Sequence, residues 1–77
     1  MEDRIMDILS EVRPEFDFKG SDDFIEDGYL DSFDVVTLVS EIEGEFGVII
    51  DGMDVVPENF GSVSAIEKLI KKSEKVS

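Results

Sequence analysis

Neither cysteine nor histidine occurs among the 77 residues of the chain. That leaves no thiolate nucleophile, no disulfide framework and no Cys-ligated zinc, and it removes the commonest general base and metal ligand. Chemistry must therefore come from hydroxyls and carboxylates. The most suggestive hydroxyl is Ser32, in the stretch Gly28-Tyr29-Leu30-Asp31-Ser32-Phe33-Asp34, where loop residues give way to a helical pattern. Asp-Ser at such a junction is first of all a helix-capping signal. Ser32 has no histidine or lysine beside it in sequence, so nothing adjacent would activate it as a nucleophile. It suits better an acceptor that another enzyme modifies. The orphan N–H groups and positive dipole end of the helix beginning there would also suit a phosphodiester.

The carboxylates suggest a second chemistry. Asp23, Asp27, Gly28, Asp31 and Asp34 fall at positions 1, 5, 6, 9 and 12 of an EF-hand calcium loop, with Leu30 at the hydrophobic eighth. Ile25 occupies position 3, where an oxygen ligand belongs, and Asp34 replaces the bidentate glutamate. A signalling calcium site is not expected and no residue is assigned as a metal ligand; weak, stabilising divalent binding to clustered carboxylates fits better. No catalytic residue is assigned either. Carboxylates are plentiful, but a bundle of this size offers little pocket volume for an enzyme.

The elements that would position Ser32 follow from periodicity. Ile5, Ile8, Leu9 and Val12 mark an amphipathic first helix, with Asp3 as a candidate N-cap and Pro14 as the stop. Residues 14–31 lack a helical period and form a long connection, for which Phe16, Phe18, Phe24, Ile25 and Leu30 are candidate pins. A helix is expected over 32–46, with Val35, Leu38, Val39, Ile42 and Phe46 facing the core and Gly47 as its stop. Gly44 inside it costs up to about 1 kcal/mol against alanine, which packing is expected to offset. Residues 48–50 (Val-Ile-Ile) are expected to be an extended segment tucked against the rest, since no partner strand is apparent. A short helix over 57–60, starting at Pro57, precedes a last one capped by Ser62, with Val63, Ile66, Leu69 and Ile70 inward and Lys68, Lys71 and Lys72 near its end. The expected fold is all-α: a small antiparallel four-helix bundle, three longer helices and one short, with a long first loop. One domain is expected over 1–77, its core at about 3–72 and its tail at 73–77 frayed.

The helix after Ser32 carries a second apolar face. Phe33 and Val36 fall well off the core stripe, with Thr37, Ser40 and, nearer the edge, Glu43. Either Phe33 folds back onto the long loop or these residues form an exposed apolar patch with an acidic rim, as transient docking surfaces do. The charge either only solubilises the chain or, if it has a role, calls for a basic partner. Between Lys19 and Lys68 there are 13 Asp or Glu residues and no Lys or Arg, within a net charge of −13. Such a surface repels nucleic acids and anionic lipid and attracts basic protein faces. With no long apolar run and no signal peptide at the start, a cytoplasmic monomer without nucleic-acid or membrane partners is expected.

Glu26-Asp27-Gly28-Tyr29-Leu30-Asp31-Ser32-Phe33, then Val36, Leu38, Val39, Ile42 and Glu43-Gly44-Glu45-Phe46-Gly47, resembles the acyl carrier protein family. Pro57-Glu58-Asn59-Phe60, Ser62-Val63 and Ile66 resemble that family's third helix and the start of its fourth. The resemblance runs over about residues 3–72. It implies that a phosphopantetheinyl transferase attaches 4'-phosphopantetheine from coenzyme A to Ser32, assisted by Asp31. The arm's thiol, not a side chain, would then hold an acyl or aminoacyl cargo as a thioester. It further implies that the second helix is the recognition element, with Phe33, Val36, Thr37, Ser40 and Glu43 meeting the basic faces of loading and accepting enzymes. Leu30-Asp31-Ser32-Phe33 departs from the Asp-Ser-Leu of fatty-acid-synthesis carriers, and Thr37 and Gly44 stand where those carriers usually have glutamate. Phe33 and its lead-in are closer to free-standing aminoacyl carriers, including the D-alanyl type, and to specialised secondary-metabolism carriers. An acidic interaction module without a prosthetic group is the alternative if Ser32 is never modified.

Overall fold

The computed structural model describes residues 2–74, which form three α-helices and three short 3-10 turns, with no strand among the described residues. The first helix, α1 (Glu2–Val12), buries Ile5, Ile8 and Leu9, the apolar stripe expected of it. Asp3 is not its N-cap but lies inside it, since the helix is already formed at Glu2. Helix α2 (Ser32–Phe46) has the bounds that periodicity gives, and α3 (Val63–Glu74) begins directly after Ser62, whose hydroxyl accepts the Ala65 N–H at 3.1 Å. That last helix runs through Ser73, which is buried and donates to the Leu69 carbonyl, and Glu74. The rest of the expected frayed tail, 75–77, lies outside the described residues.

The long connection is not slack. Phe18, Phe24 and Leu30 are buried, and Phe16 and Ile25 pack against them. Tyr29, which periodicity did not single out, stacks on Phe16 at 4.6 Å between centroids, while Phe18 meets Phe24 edge-on at 5.0 Å. A 3-10 turn at Phe18–Gly20 is capped by Asp17, and the Phe24 N–H donates to the Gly61 carbonyl at 2.7 Å, tying the loop to the approach of α3. Gly28 turns the chain in the left-handed region (φ 77°), which glycine enters without steric cost. With the loop packed in, the radius of gyration is 11.4 Å, against about 11.5 Å for a compact chain of this length.

Helix α1 packs against both α2 and α3. Its end meets the start of α2 through Arg13 and Asp34, and its start meets the end of α2 through Arg4 and Glu45. Val35, Leu38 and Ile42 of α2 are buried, with Val39 and Phe46 only partly so. Gly47 ends the helix in the left-handed conformation (φ 66°). Beyond it Val48 and Ile50 are buried and Ile49 points outward, an extended segment as expected. The short helical turn expected over 57–60 is present as a 3-10 turn, Pro57–Phe60, and a further 3-10 turn, not expected, occurs at Gly52–Asp54. Four residues close too few i→i−4 bonds to hold an α-helical turn, so the tighter form prevails. Gly44 is not compensated by packing: it is exposed, and a Cβ there would meet nothing within 4 Å.

Candidate functional site

The start of α2 is built by a reciprocal cap. Asp31, extended at φ −117°, accepts the Asp34 N–H on Oδ1 at 2.9 Å, and Asp34 Oδ2 accepts the Asp31 N–H at 3.2 Å. This satisfies two backbone donors at the helix end and fixes the direction in which the chain enters the helix. Ser32, the first helical residue, is exposed between the two carboxylates. Asp34 is only 5% exposed, an anion that needs a partner, and Arg13 supplies it: Nε donates to Asp34 Oδ2 at 2.8 Å. The same guanidinium lies 3.6 Å from Asp31 Oδ2 and 3.2 Å from Glu15 Oε2.

The Asp34 N–H bond holds the Asp31 carboxyl below the ordinary carboxylate range; partial desolvation opposes this, and the Arg13 charge and the Phe33 N–H add to it. Bonds to Asp34 and then Glu15 raise the Arg13 guanidinium further above its ordinary value. Near neutrality Asp31 is therefore an anion with little affinity for a proton, better suited to orienting and electrostatics than to general base work.

Down the outer side of α2, Phe33 is 78% exposed and Val36 64% exposed, so Phe33 does not fold back onto the loop. Thr37, whose hydroxyl bonds the Phe33 carbonyl at 3.3 Å, and exposed Ser40 share this face. Glu43 is engaged elsewhere: its carboxylate accepts the Ile50 N–H at 2.9 Å and anchors the extended segment. Sequence reasoning missed Arg13 and the capping role of Asp34. The acid-x-x-acid spacing of Asp31 and Asp34 was a usable cue for the cap, whereas nothing local signals a contact from Arg13, 21 residues away. The carboxylates of the calcium-loop pattern do not converge. Asp23 accepts the Ile25 and Glu26 N–H groups, Asp27 bonds Ser21, Asp31 and Asp34 hold the cap, and no group of three acids among the described residues could hold a metal ion. None of the described helices is long and apolar enough to cross a membrane.

Residues 3–70 match the family model described as the phosphopantetheine attachment site. The chain belongs to this family of acyl carrier proteins. The family's prosthetic group is 4'-phosphopantetheine. The start of α2 fits such a group, because an exposed hydroxyl stands at a helix N-terminus whose N–H dipoles favour an anionic link and whose acids are partly balanced by Arg13. The chain is also similar to aminoacyl carrier protein 2 of Bradyrhizobium diazoefficiens, 42% identical over 41 residues that make up 53% of this chain and 46% of that protein. The chain thus spans about half the length of the curated relative it matches. No solved structure matches it.

Proposed function

We propose that this phosphopantetheine-family member is a carrier whose Ser32 bears the arm, and that it presents an aminoacyl or small acyl cargo to partner enzymes as a thioester. The carrying observation is the exposed Ser32 hydroxyl at the first position of a tightly capped helix, within a chain that matches the family over residues 3–70. In the modification a phosphopantetheinyl transferase is the catalyst. The Ser32 oxygen bonds to the phosphorus carrying the pantetheine of coenzyme A, adenosine 3',5'-bisphosphate leaves, and the hydroxyl proton passes to a base of the transferase or to water. Once bound, the group supplies a thiol on a long flexible tether, which this chain, lacking cysteine, does not have.

The chain's own residues orient and recruit. Asp31 and Asp34 hold the helix start, and Asp31 keeps a negative charge beside the acceptor. Phe33 and Val36, with Thr37 and Ser40, offer an apolar strip on an acidic molecule, to which a basic, partly apolar enzyme face is complementary. Glu43 contributes charge at the end of the strip while anchoring the segment beyond. Catalysis is assigned to the partners, and α1, α2, the Pro57–Phe60 turn and α3 act together as a four-element antiparallel bundle holding the arm's root. The aminoacyl carrier relative and the Phe33 lead-in favour an aminoacyl cargo. Mass spectrometry of the protein from its native cell tests this: a thioester-bound amino acid on the Ser32 arm is expected. A long-chain acyl group there would contradict the cargo assignment, and an arm-free protein the carrier assignment.

A further inference from the structure

The capping box that frames Ser32 is built from two acids, which brings like charges together at the point where α2 begins. One of them, Asp34, is almost fully buried, and a buried carboxylate is stable only when paired and hydrogen-bonded. The pairing comes from outside the helix. Asp34 Oδ2 accepts both the Asp31 N–H, at 3.2 Å, and the Arg13 Nε–H, at 2.8 Å. Nη2, on the same edge of the guanidinium, lies 3.6 Å from Asp31 Oδ2. Arg13 is itself held at the end of α1, where its N–H donates to the Leu9 carbonyl at 2.9 Å. The backbone immediately before Ser32 is thus fixed from α1, through one guanidinium that holds both acids of the cap.

We propose that Arg13 is a positioning residue for the modification of Ser32, locking the cap so that the hydroxyl is presented in one orientation to the transferase. The proposal rests on the assignment of Ser32 as the acceptor. In-line attack on phosphorus demands a defined approach of the attacking oxygen, and a misplacement of about 1 Å can lower a rate by roughly a hundredfold. Without Arg13 the two acids repel each other, Asp34 lacks its cation, and the first turn of α2 samples several entries. A merely structural tie between α1 and α2 would not be specific to this end of the helices. Arg4 provides the comparison, because it joins the opposite ends, with Nη2 at 2.6 Å from Glu45 Oε2. Glu45 lies 13 residues along α2 from Ser32, about 20 Å at the helical rise.

The test measures the rate of phosphopantetheine transfer from coenzyme A against acceptor concentration, with one broad-specificity transferase. The acceptors are wild type, Arg13→Gln, Arg13→Lys and Arg4→Gln, each with a melting curve. Arg13→Gln is expected to lower kcat by roughly ten- to a hundredfold with little change in KM, since Phe33 and Val36 are untouched. Arg13→Lys restores the charge without the planar fork and is expected to recover only part of the loss. Arg4→Gln is expected to leave kcat and KM as in wild type. Folded Arg13→Gln with wild-type kcat overturns the proposal, as does an equal loss in Arg4→Gln. Should Arg13→Gln not fold, Arg13→Lys decides: a reduced kcat supports the role and a wild-type kcat overturns it. Wild type modified at Ser32 but indifferent to Arg13 defeats this inference alone, whereas wild type never modified at Ser32 defeats the acceptor assignment and this inference with it.

Discussion

Asp31 has two oxygens with different tasks: Oδ1 takes the Asp34 N–H, and Oδ2 faces Arg13 at 3.6 Å. Asparagine keeps the first task and loses the second; alanine loses both. Asp31→Ala should therefore lower the melting temperature clearly, and Asp31→Asn much less, because asparagine is as good an N-cap as aspartate. Equal losses would show that charge, not the cap bond, dominates. The acidity of Asp31 adds a pH signature. Its folded pKa lies below its ordinary value of 3.8, and that of Glu15, bonded to its own backbone and then to Arg13, below 4.5. Groups depressed in this way contribute stability that is fully present above the ordinary values and lost as pH falls through the folded ones. The stability difference between wild type and Asp31→Asn should thus be constant from pH 7 to about 5 and shrink below about 4. A difference that grows on acidification would contradict the assignment. The cap at Asp31 and the helix start at Ser32 were legible in the sequence because a loop-to-helix junction is a local pattern; the contacts of Arg13 with Asp31 and Asp34 come from folding and were not.

Helix α2 shows why its two faces could be separated in advance and why their details could not. The core stripe of Val35, Leu38 and Ile42 and the outlying Phe33 and Val36 follow from the turn of the helix alone. Side chains as exposed as Phe33 and Val36 remove little buried surface, so truncating either to alanine should cost under about 1 kcal/mol. Phe24→Ala, by contrast, should cost about 3–5 kcal/mol and largely unfold so small a domain. Melting curves of the three variants check this, and a large loss for Phe33→Ala would mean that it packs in solution. Gly44 looked like a position that packing must rescue, yet it faces open space. Gly44→Ala should therefore stabilise by roughly 0.5–1 kcal/mol, read as a higher melting temperature. Glu43 was legible as a rim charge but not as the acceptor of the Ile50 N–H, because that bond depends on where the chain goes after Gly47. Glu43→Lys should cost roughly 1–2 kcal/mol in addition to any effect on partners, and Glu43→Gln, which keeps an acceptor, should cost less. The α-helices of about three to four turns were visible in periodicity; the 3-10 turns at Phe18–Gly20 and Gly52–Asp54 were not, since three residues carry no period.

The whole molecule carries a net charge of −13, and Arg4, Arg13, Lys71 and Lys72 are each paired to a carboxylate. Self-repulsion of that size works against compactness, and salt should raise the melting temperature by screening it. Millimolar magnesium and calcium should raise it further and to similar extents, because the acids are dispersed among separate backbone bonds instead of gathered into a cage. A strong preference for calcium would contradict that dispersal. The same acidity suits the molecule to basic partners, and the proposed carrier role needs an arm rooted at one serine. Intact-mass measurement followed by peptide mapping, after incubation with coenzyme A and a broad-specificity phosphopantetheinyl transferase, tests this most directly. The expected product has gained the mass of a single phosphopantetheine, located on Ser32 and absent from a folded Ser32→Ala variant. A protein left unmodified by several such transferases, or one labelled on Ser62 or Ser64, would contradict that role.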